Sequence, residues 1–157
     1  MSLQENLQEL HDALAAVTAR CDALEAAQKV RTLKAFVLAS SCEVYGIPQD
    51  VLTEGSPIGA IGPYHASKIA AEEAVRASGL PFVITRPSNT FGRANVGSAV
   101  AVADKWIVWA LQGKAIPLGG MTAVRDFMFR SDHVAAYERI VEAVGRGDHI
   151  TGETFLF

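Results

Sequence analysis

The sequence predicts an α/β fold around a parallel β-sheet, because two short apolar runs flank the pattern of a helix. The runs are KAFVLAS, Lys34 to Ser40, and PFVITRP, Pro81 to Pro87, and both have the length and composition of buried parallel strands. Between them a polar loop, Gly46 to Pro63, leads into a helix from about Tyr64 to Ser78, which Gly79 ends. Strand, helix and strand in this order make a βαβ unit.

The N-terminal residues predict a helix over residues 1–33 with a heptad seam. Its apolar positions alternate at steps of four and three, as in a coiled coil. Such a helix either docks on its own domain or pairs with a second helix, and the pattern leaves both possibilities open. The seam comprises Leu3, Leu7, Leu10, Leu14, Val17, Cys21 and Leu24.

The remaining elements follow in one continuous domain of 157 residues. We expect a helix from about Ser98 to Gln112, a short strand around Arg125 to Phe129 and a helix from Asp132 to about Val144. The segment TFLF, Thr154 to Phe157, predicts the start of a final strand.

Composition narrows the range of functions. Hydrophobic residues make up 50% of the chain and charged residues 20%, which is typical of a globular protein. A formal net charge of −3 and the lack of a basic stripe argue against nucleic acid as a partner. No apolar run approaches the roughly 20 residues of a membrane helix, and no signal-peptide pattern is present, so we expect no membrane partner and a cytoplasmic location. The histidines and the two cysteines, Cys21 and Cys42, lack metal-ligand spacing, so we expect no metal and reduced thiols.

Polar residues converge where the predicted strands end. Ser40 and Ser41 close the first strand, Asn89 follows the second, and the helix with Tyr64 and Lys68 begins near both. Ligands of open parallel sheets bind at this edge. Residues four apart share a helix face, and a cation near a phenol favours the phenolate, which helps a tyrosine to exchange protons at neutral pH. Taken alone, the same spacing also fits a surface pair.

Four motifs in order make the pattern more specific. They are SSCEVYG at Ser40 to Gly46, PYHASK at Pro63 to Lys68, RPSNTFG at Arg86 to Gly92 and VRDF at Val124 to Phe127. Together they resemble the extended short-chain dehydrogenase/reductase family, in its nucleotide-sugar epimerase and dehydratase branch. The resemblance implies a partial Rossmann-like sheet over residues 34–95 and part of a small substrate-binding lobe over residues 96–153. The last strand would begin in residues 154–157.

The resemblance also implies roles for the first three site residues. Tyr64 would be the acid/base that exchanges a proton with a sugar hydroxyl while hydride passes to or from a nicotinamide. Lys68 would bind the nicotinamide ribose and favour the tyrosinate, and Ser41 would relay the proton. The implied cofactor is NAD or NADP, and the implied substrate is a nucleotide sugar.

Further positions match the cofactor and substrate residues of the family. By this resemblance Ser40 lies beside the cofactor and Pro87 borders the nicotinamide ring. Asn89 would contact the phosphate side of the substrate, and Arg125 would clamp its pyrophosphate, because a guanidinium matches phosphate oxygens. The alternatives are a strand-end cap for the serines, a turn for Asn89 and a surface ion pair for Arg125.

The sequence departs from the family at two places. Cys42 stands where the dehydratases carry an acidic residue, although Glu43 keeps the next position, so we expect epimerisation or simple redox chemistry rather than dehydration. The Gly-rich turn that binds the dinucleotide pyrophosphate is not recognisable, since GSPIGAIG, Gly55 to Gly62, follows no predicted strand. We therefore expect a truncated or partial copy that does not by itself bind the cofactor well.

The alternative to an enzyme is a non-catalytic dimerising module on the same scaffold. Under either reading the resemblance implies a homodimer through the N-terminal helix and the helix of Tyr64 and Lys68, because the corresponding helices of the family pack against their copies. An incomplete sheet exposes an unpaired edge, which favours association.

Overall fold

The computed structural model describes residues 8, 15, 18–19, 21–47, 50–92, 102–117 and 124–157. Residues 8, 15, 18–19 and 21–28 are helical, and the helix that ends at residue 28 is called α1. The helix predicted over residues 1–33 therefore ends earlier than expected. A short 3₁₀ helix, Cys42–Tyr45, follows the first strand. The other elements are β1 (Phe36–Ala39), α2 (Pro63–Ala77), β2 (Phe82–Arg86), β3 (Asn89–Phe91), α3 (Val102–Leu111), β4 (Phe127–Phe129), α4 (Arg130–Arg146) and β5 (Thr154–Leu156).

The main sheet is parallel, with the strand order β1, β2, β5. Phe36 pairs with Phe82, and Ile84 pairs with Thr154, so β2 lies in the centre. The predicted α/β class with a parallel sheet is confirmed, and TFLF does supply a strand. Central strands of such sheets are apolar on both faces, and Val83, Ile84 and Thr85 of β2 are fully buried.

A second parallel pair joins β3 to β4, with Asn89 opposite Phe127. The sequence predicted β4, although with a start at Arg125, but it did not predict β3. Helix α4 begins at Arg130, before the expected Asp132, and ends at Gly147, which takes the left-handed conformation with φ 85°. Residues 98–101 of the predicted third helix lie outside the described part of the chain.

One face of the sheet packs on α1 and α2. Leu38 and Ile84 of the sheet contact Ala71 and Val75 of α2 in the apolar core, which also contains Leu24 of α1. At Leu24 the heptad seam therefore docks on its own domain. Cys21 of the same seam is exposed, and the seam residues from Leu3 to Val17 lie outside the described part of the chain.

The other face of the sheet is bonded to α4. The Thr85 hydroxyl donates to the Leu38 carbonyl at 3.1 Å and lies 2.7 Å from the Tyr137 hydroxyl. Alternation along β2 thus sends Ile84 toward α2 and Thr85 toward α4. None of the helices in the described residues is long and apolar enough to cross a membrane.

A buried ion pair joins α2 to the end of β2. Glu72 is 1% exposed and Arg86 is 2% exposed, and two hydrogen bonds of 2.9 and 2.6 Å run from the guanidinium to the carboxylate. Burial by itself would raise the pKa of Glu72, but hydrogen bonds from Arg86 and Ser40 outweigh it and hold this pKa below its ordinary value. The pKa of Arg86 is raised for the corresponding reason, since its bonds to Glu72 and Tyr45 outweigh its burial. Both groups are therefore charged at neutral pH.

Gly46 closes the 3₁₀ helix in a conformation and a space that exclude a side chain. Its φ is +68°, and a Cβ atom there would lie 2.6 Å from the carbonyl oxygen of Gly59. The Gly59 N–H in turn donates to the Val44 carbonyl at 2.9 Å. The loop before α2 is thereby held against the 3₁₀ helix.

We predict that Gly46→Ala destabilises the protein more than Gly79→Ala does. Both glycines have positive φ, but a Cβ atom at Gly79 would meet open space. The left-handed conformation costs about 1–2 kcal/mol in each variant, and the collision with Gly59 adds at least about 1 kcal/mol at Gly46. Urea denaturation measures both losses. Equal losses would contradict the close approach of residues 46 and 59.

We also predict that Glu72→Ala lowers the free energy of unfolding by about 3–5 kcal/mol at neutral pH, because it leaves the Arg86 charge buried without its partner. The exposed neighbour Glu73 provides the control, and Glu73→Ala should change the stability by less than about 0.5 kcal/mol.

The cost of Glu72→Ala should depend on pH. The folded-state pKa of Glu72 lies below the ordinary value of 4.5, so its stabilisation is complete above that value and is lost as the pH falls through the folded-state pKa. Denaturation curves at about pH 7 and about pH 3 should therefore show a smaller difference between wild type and Glu72→Ala at the lower pH. A constant difference would mean that the carboxylate charge does not contribute.

Candidate functional site

Helix α2 carries Tyr64 and Lys68 in its first turns. Gly62 is the N-cap and Pro63 occupies the first turn, where its missing N–H costs nothing. The Lys68 ammonium lies 5.7 Å from the centre of the Tyr64 ring, and it donates to the Ala39 carbonyl at 3.0 Å. Lys68 is 9% exposed, whereas Tyr64 is 44% exposed. The structure thus brings together the predicted pair, with a buried cation behind an accessible phenol.

Ser41 lies at the end of β1 and caps the 3₁₀ helix. Its backbone is extended, and its Oγ accepts the Glu43 N–H at 3.2 Å. An accepting hydroxyl can still donate its own hydrogen. Ser41 is buried and follows Ala39, whose carbonyl binds Lys68, by two positions. The predicted relay serine therefore lies on the segment that Lys68 contacts.

The Ser40 hydroxyl takes a direction that the sequence did not predict. It donates to Glu72 Oε1 at 2.6 Å in the interior of the protein. The hydroxyl therefore binds the carboxylate of Glu72. That Ser40 lies beside the cofactor stays a prediction, and it concerns only the backbone of this residue.

The second strand and the small sheet supply the remaining predicted residues. The Pro87 carbonyl accepts the Cys42 N–H at 3.1 Å, which joins the ends of β1 and β2. The Asn89 N–H donates to the Asp126 carbonyl at 3.3 Å, so Arg125, one position earlier, lies in the segment that leads into β4, the strand paired with β3. The Arg125 guanidinium is exposed and donates to the Val124 carbonyl at 2.8 Å. Asn89 and Arg125 therefore share one part of the fold, next to the end of β2.

Cys42 is half-buried between acidic groups. Burial raises the pKa of its thiol, and the charges of Glu43 and Asp126 raise it further. A neutral thiol is a poor nucleophile, which fits the reading of Cys42 as a small packing residue. Among the described residues no group of three or more His, Cys, Asp or Glu side chains is placed to hold a metal ion.

Sequence reasoning did not predict the surroundings of two polar side chains close to the site, although Ser88 was expected at the end of the second strand. His65 Nε2 lies 3.1 Å from Glu43 Oε2, which links α2 to the 3₁₀ helix. The Ser88 hydroxyl is buried without a hydrogen-bond partner among the described residues, as is His65 Nδ1. Both side chains lie within motifs that the sequence analysis identified, but spacing alone did not indicate their surroundings.

Comparisons with known proteins identify the family and the fold. The sequence model of the NAD dependent epimerase/dehydratase family matches residues 4–155. The chain is 33% identical over 124 residues to a dTDP-glucose 4,6-dehydratase from Neisseria meningitidis, a match that covers 74% of this chain and 33% of that protein.

Solved structures give the same result. A dTDP-glucose 4,6-dehydratase from Bacillus anthracis in complex with NAD is 28% identical, with a TM-score of 0.77, over 92% of this chain and 46% of that one. A UDP-glucose 4-epimerase from Thermotoga maritima with UDP-glucose is 23% identical, with a TM-score of 0.81, over 97% of this chain and 50% of that one, and shows the shared Rossmann-like fold.

The chain spans about a third of the length of the curated relatives it matches and about half of these solved structures. The match nevertheless covers nearly all of this chain, including the segments that carry Ser41, Tyr64, Lys68, Asn89 and Arg125. The chain belongs to the NAD dependent epimerase/dehydratase family.

Proposed function

We propose that this protein takes part in hydride transfer at a carbon of a nucleotide sugar, with Tyr64 as the acid/base. The observation that carries the proposal is the buried Lys68 ammonium, 5.7 Å from the Tyr64 ring and bonded to the segment that leads into Ser41. The exposed phenol can reach a substrate, and the ammonium of a buried lysine lies behind it. Free thiols at Cys21 and Cys42 suit a reducing compartment, and we propose a cytoplasmic location.

In the proposed mechanism Tyr64 accepts the proton of a sugar hydroxyl as the carbon that bears it loses hydride. Ser41 would donate a hydrogen bond to the same oxygen, and Lys68 would stabilise the tyrosinate that forms and hold a ribose hydroxyl of the cofactor. When bound, NAD or NADP would supply the hydride acceptor. Asn89 and Arg125 would hold the phosphates of the nucleotide sugar, since guanidinium and amide groups donate to phosphate oxygens.

The fit of these residues to a dinucleotide is limited to its nicotinamide end. Lys68 and Pro87 lie at the carboxyl ends of the strands, where a ring and its ribose can bind. The glycines from Gly55 to Gly62 lie in a loop that follows the 3₁₀ helix, not in a strand-to-helix turn, and so do not provide the usual pyrophosphate site. We infer that tight binding needs residues beyond those described at this site.

Within the family, we propose epimerisation or simple redox chemistry in preference to dehydration. Loss of a sugar hydroxyl as water requires a proton donor, and the Cys42 thiol, whose pKa burial raises, is a weak one. Glu43, which follows it, is bonded to His65. Both observations argue against an acid pair at this position.

A second candidate function is a dimerising interaction module. Helix α3 is apolar yet has no buried residue, and its Ile107, Val108 and Leu111 are exposed.

We propose that the protein forms a homodimer through α1 and α2. Support comes from the outer face of α2, where the exposed Ala66, Ala70 and Ala77 would let a second helix approach closely.

Cofactor binding tests the first proposal. We expect that calorimetric titration with NAD and NADH gives a measurable Kd, and that Lys68→Ala weakens binding at least about tenfold through loss of the charged hydrogen bond. Tyr64→Phe should leave the affinity within about threefold while abolishing turnover of any sugar substrate. Lys105→Ala, at an exposed position of α3, is the matched control. Equal weakening by Lys105→Ala, or no heat at millimolar cofactor, would refute the proposal for this chain.

Sedimentation tests the dimer. We expect the wild type to sediment as a dimer and Ala70→Arg, which places a charged side chain on the outer face of α2, as a monomer. The control is Thr151→Arg in an exposed turn outside α2, which should remain dimeric. A monomeric wild type at high concentration, or a dimeric Ala70→Arg variant, would rule out this interface.

A further inference from the structure

Two successive turns of α2 hold the carboxyl end of β1 at neighbouring residues. The Lys68 ammonium donates to the Ala39 carbonyl at 3.0 Å, and Glu72 Oε1 accepts the Ser40 hydroxyl at 2.6 Å. Lys68 and Glu72 are four residues apart and share one face of the helix. Ser41 comes directly after the two residues that they hold, so its place relative to α2 is defined by both contacts.

The ion pair of Glu72 and Arg86 also holds the chain beyond Ser41. Arg86 Nη1 donates to the Tyr45 hydroxyl at 2.7 Å, and its guanidinium carbon lies 4.8 Å from the centre of the Tyr45 ring. Tyr45 is the last residue of the 3₁₀ helix that Ser41 caps. Glu72 therefore binds residue 40 while its partner Arg86 binds residue 45, and the segment with Ser41 and Cys42 is fixed at both of its ends.

Directional bonds distinguish this pair from ordinary packing. The Glu72 carboxylate accepts hydrogen bonds from Ser40, from Arg86 twice and from Arg76 at 3.0 Å. An apolar pair of the same volume often supports a fold equally well. It would not define the direction of the Ser40 hydroxyl or of the Tyr45 ring. The network thus defines the geometry of the segment as well as its stability.

We infer that Glu72 and Arg86 are positioning residues. Through their contacts with Ser40 and Tyr45, they hold Ser41 and Lys68 in the relative positions that the proposed reaction requires. The inference rests on the proposed function of Tyr64, Lys68 and Ser41. Glu72 takes no part in the proposed reaction itself. It binds Ser40, which follows the residue at the end of β1 that Lys68 binds.

The test uses Ser40→Ala, which removes one hydroxyl from the network and leaves the ion pair in place. The matched control is Ser67→Ala. Ser67 is equally buried, but its hydroxyl donates to the Tyr64 carbonyl within α2 at 2.8 Å. A second pair, Glu72→Gln with Glu73→Gln as its control, changes the charge at the same helix turn. All four variants are compared with the full wild-type chain.

The readout is the hydrogen exchange rate of the Lys68 ammonium, measured by ¹⁵N-resolved NMR, with the backbone amides of β2 as the internal reference. We expect exchange at Lys68 to accelerate at least about tenfold in Ser40→Ala and in Glu72→Gln, because the carbonyl of Ala39 is no longer held opposite it. In Ser40→Ala the β2 amides should change by less than about threefold, and in both controls Lys68 and the β2 amides should stay within the same limit. Glu72→Gln also lowers the stability, because the Arg86 charge loses its partner, so its result is read at Lys68 alone.

Two results would overturn the inference. One is unchanged exchange at Lys68 in Ser40→Ala and Glu72→Gln. The other is acceleration in Ser40→Ala that the β2 amides share equally, which would mean that the network contributes only stability. The readout needs no cofactor. Selective acceleration at Lys68 in a chain that binds no NAD would support the positioning role, while the proposed function would fail. Unchanged exchange at Lys68 in a chain that binds NAD would overturn the positioning role and leave the proposed function standing.

Discussion

The ion pair of Glu72 and Arg86 connects parts of the chain that are far apart in sequence. The guanidinium binds Tyr45 of the 3₁₀ helix and the Glu54 carbonyl of the loop before α2, at 2.7 and 3.2 Å. The Glu54 carboxylate accepts the Leu156 N–H at 3.1 Å, which extends the connection to β5. Bonds from its own N–H and from that of Leu156 lower the pKa of Glu54, so the carboxylate stays ionised. Polar contacts with fixed directions, rather than apolar packing alone, therefore determine how the loop and the last strand meet the site.

Much of the fold could be predicted from the sequence, because burial on both faces leaves a clear pattern. KAFVLAS and PFVITRP became β1 and β2, and the helix between them begins one residue before the predicted Tyr64. Strand β3 was missed because NTF is only three residues long and is partly exposed, so neither length nor periodicity indicated it.

The candidate site was predicted only where its partners lie close in sequence. Tyr64 and Lys68 share a helix face, and four residues of separation were enough to place them together. The direction of the Ser40 hydroxyl was not predictable, since its acceptor Glu72 lies 32 positions away. The pairing of Glu72 with Arg86 depends on how α2 packs over β2, a relation that local periodicity does not contain. Spacing identifies neighbours on one element, while contacts between elements require the tertiary structure.

The strand order β1, β2, β5 also has a consequence for synthesis of the protein. The central strand pairs on one side with β1, already made, and on the other with Thr154–Leu156, so its second edge stays unpaired until those residues have left the ribosome. Parallel pairing across so much intervening chain is slow, because loop closure must precede any gain from the contacts. During this interval the nascent chain exposes an apolar strand edge, and unpaired edges of this kind promote aggregation.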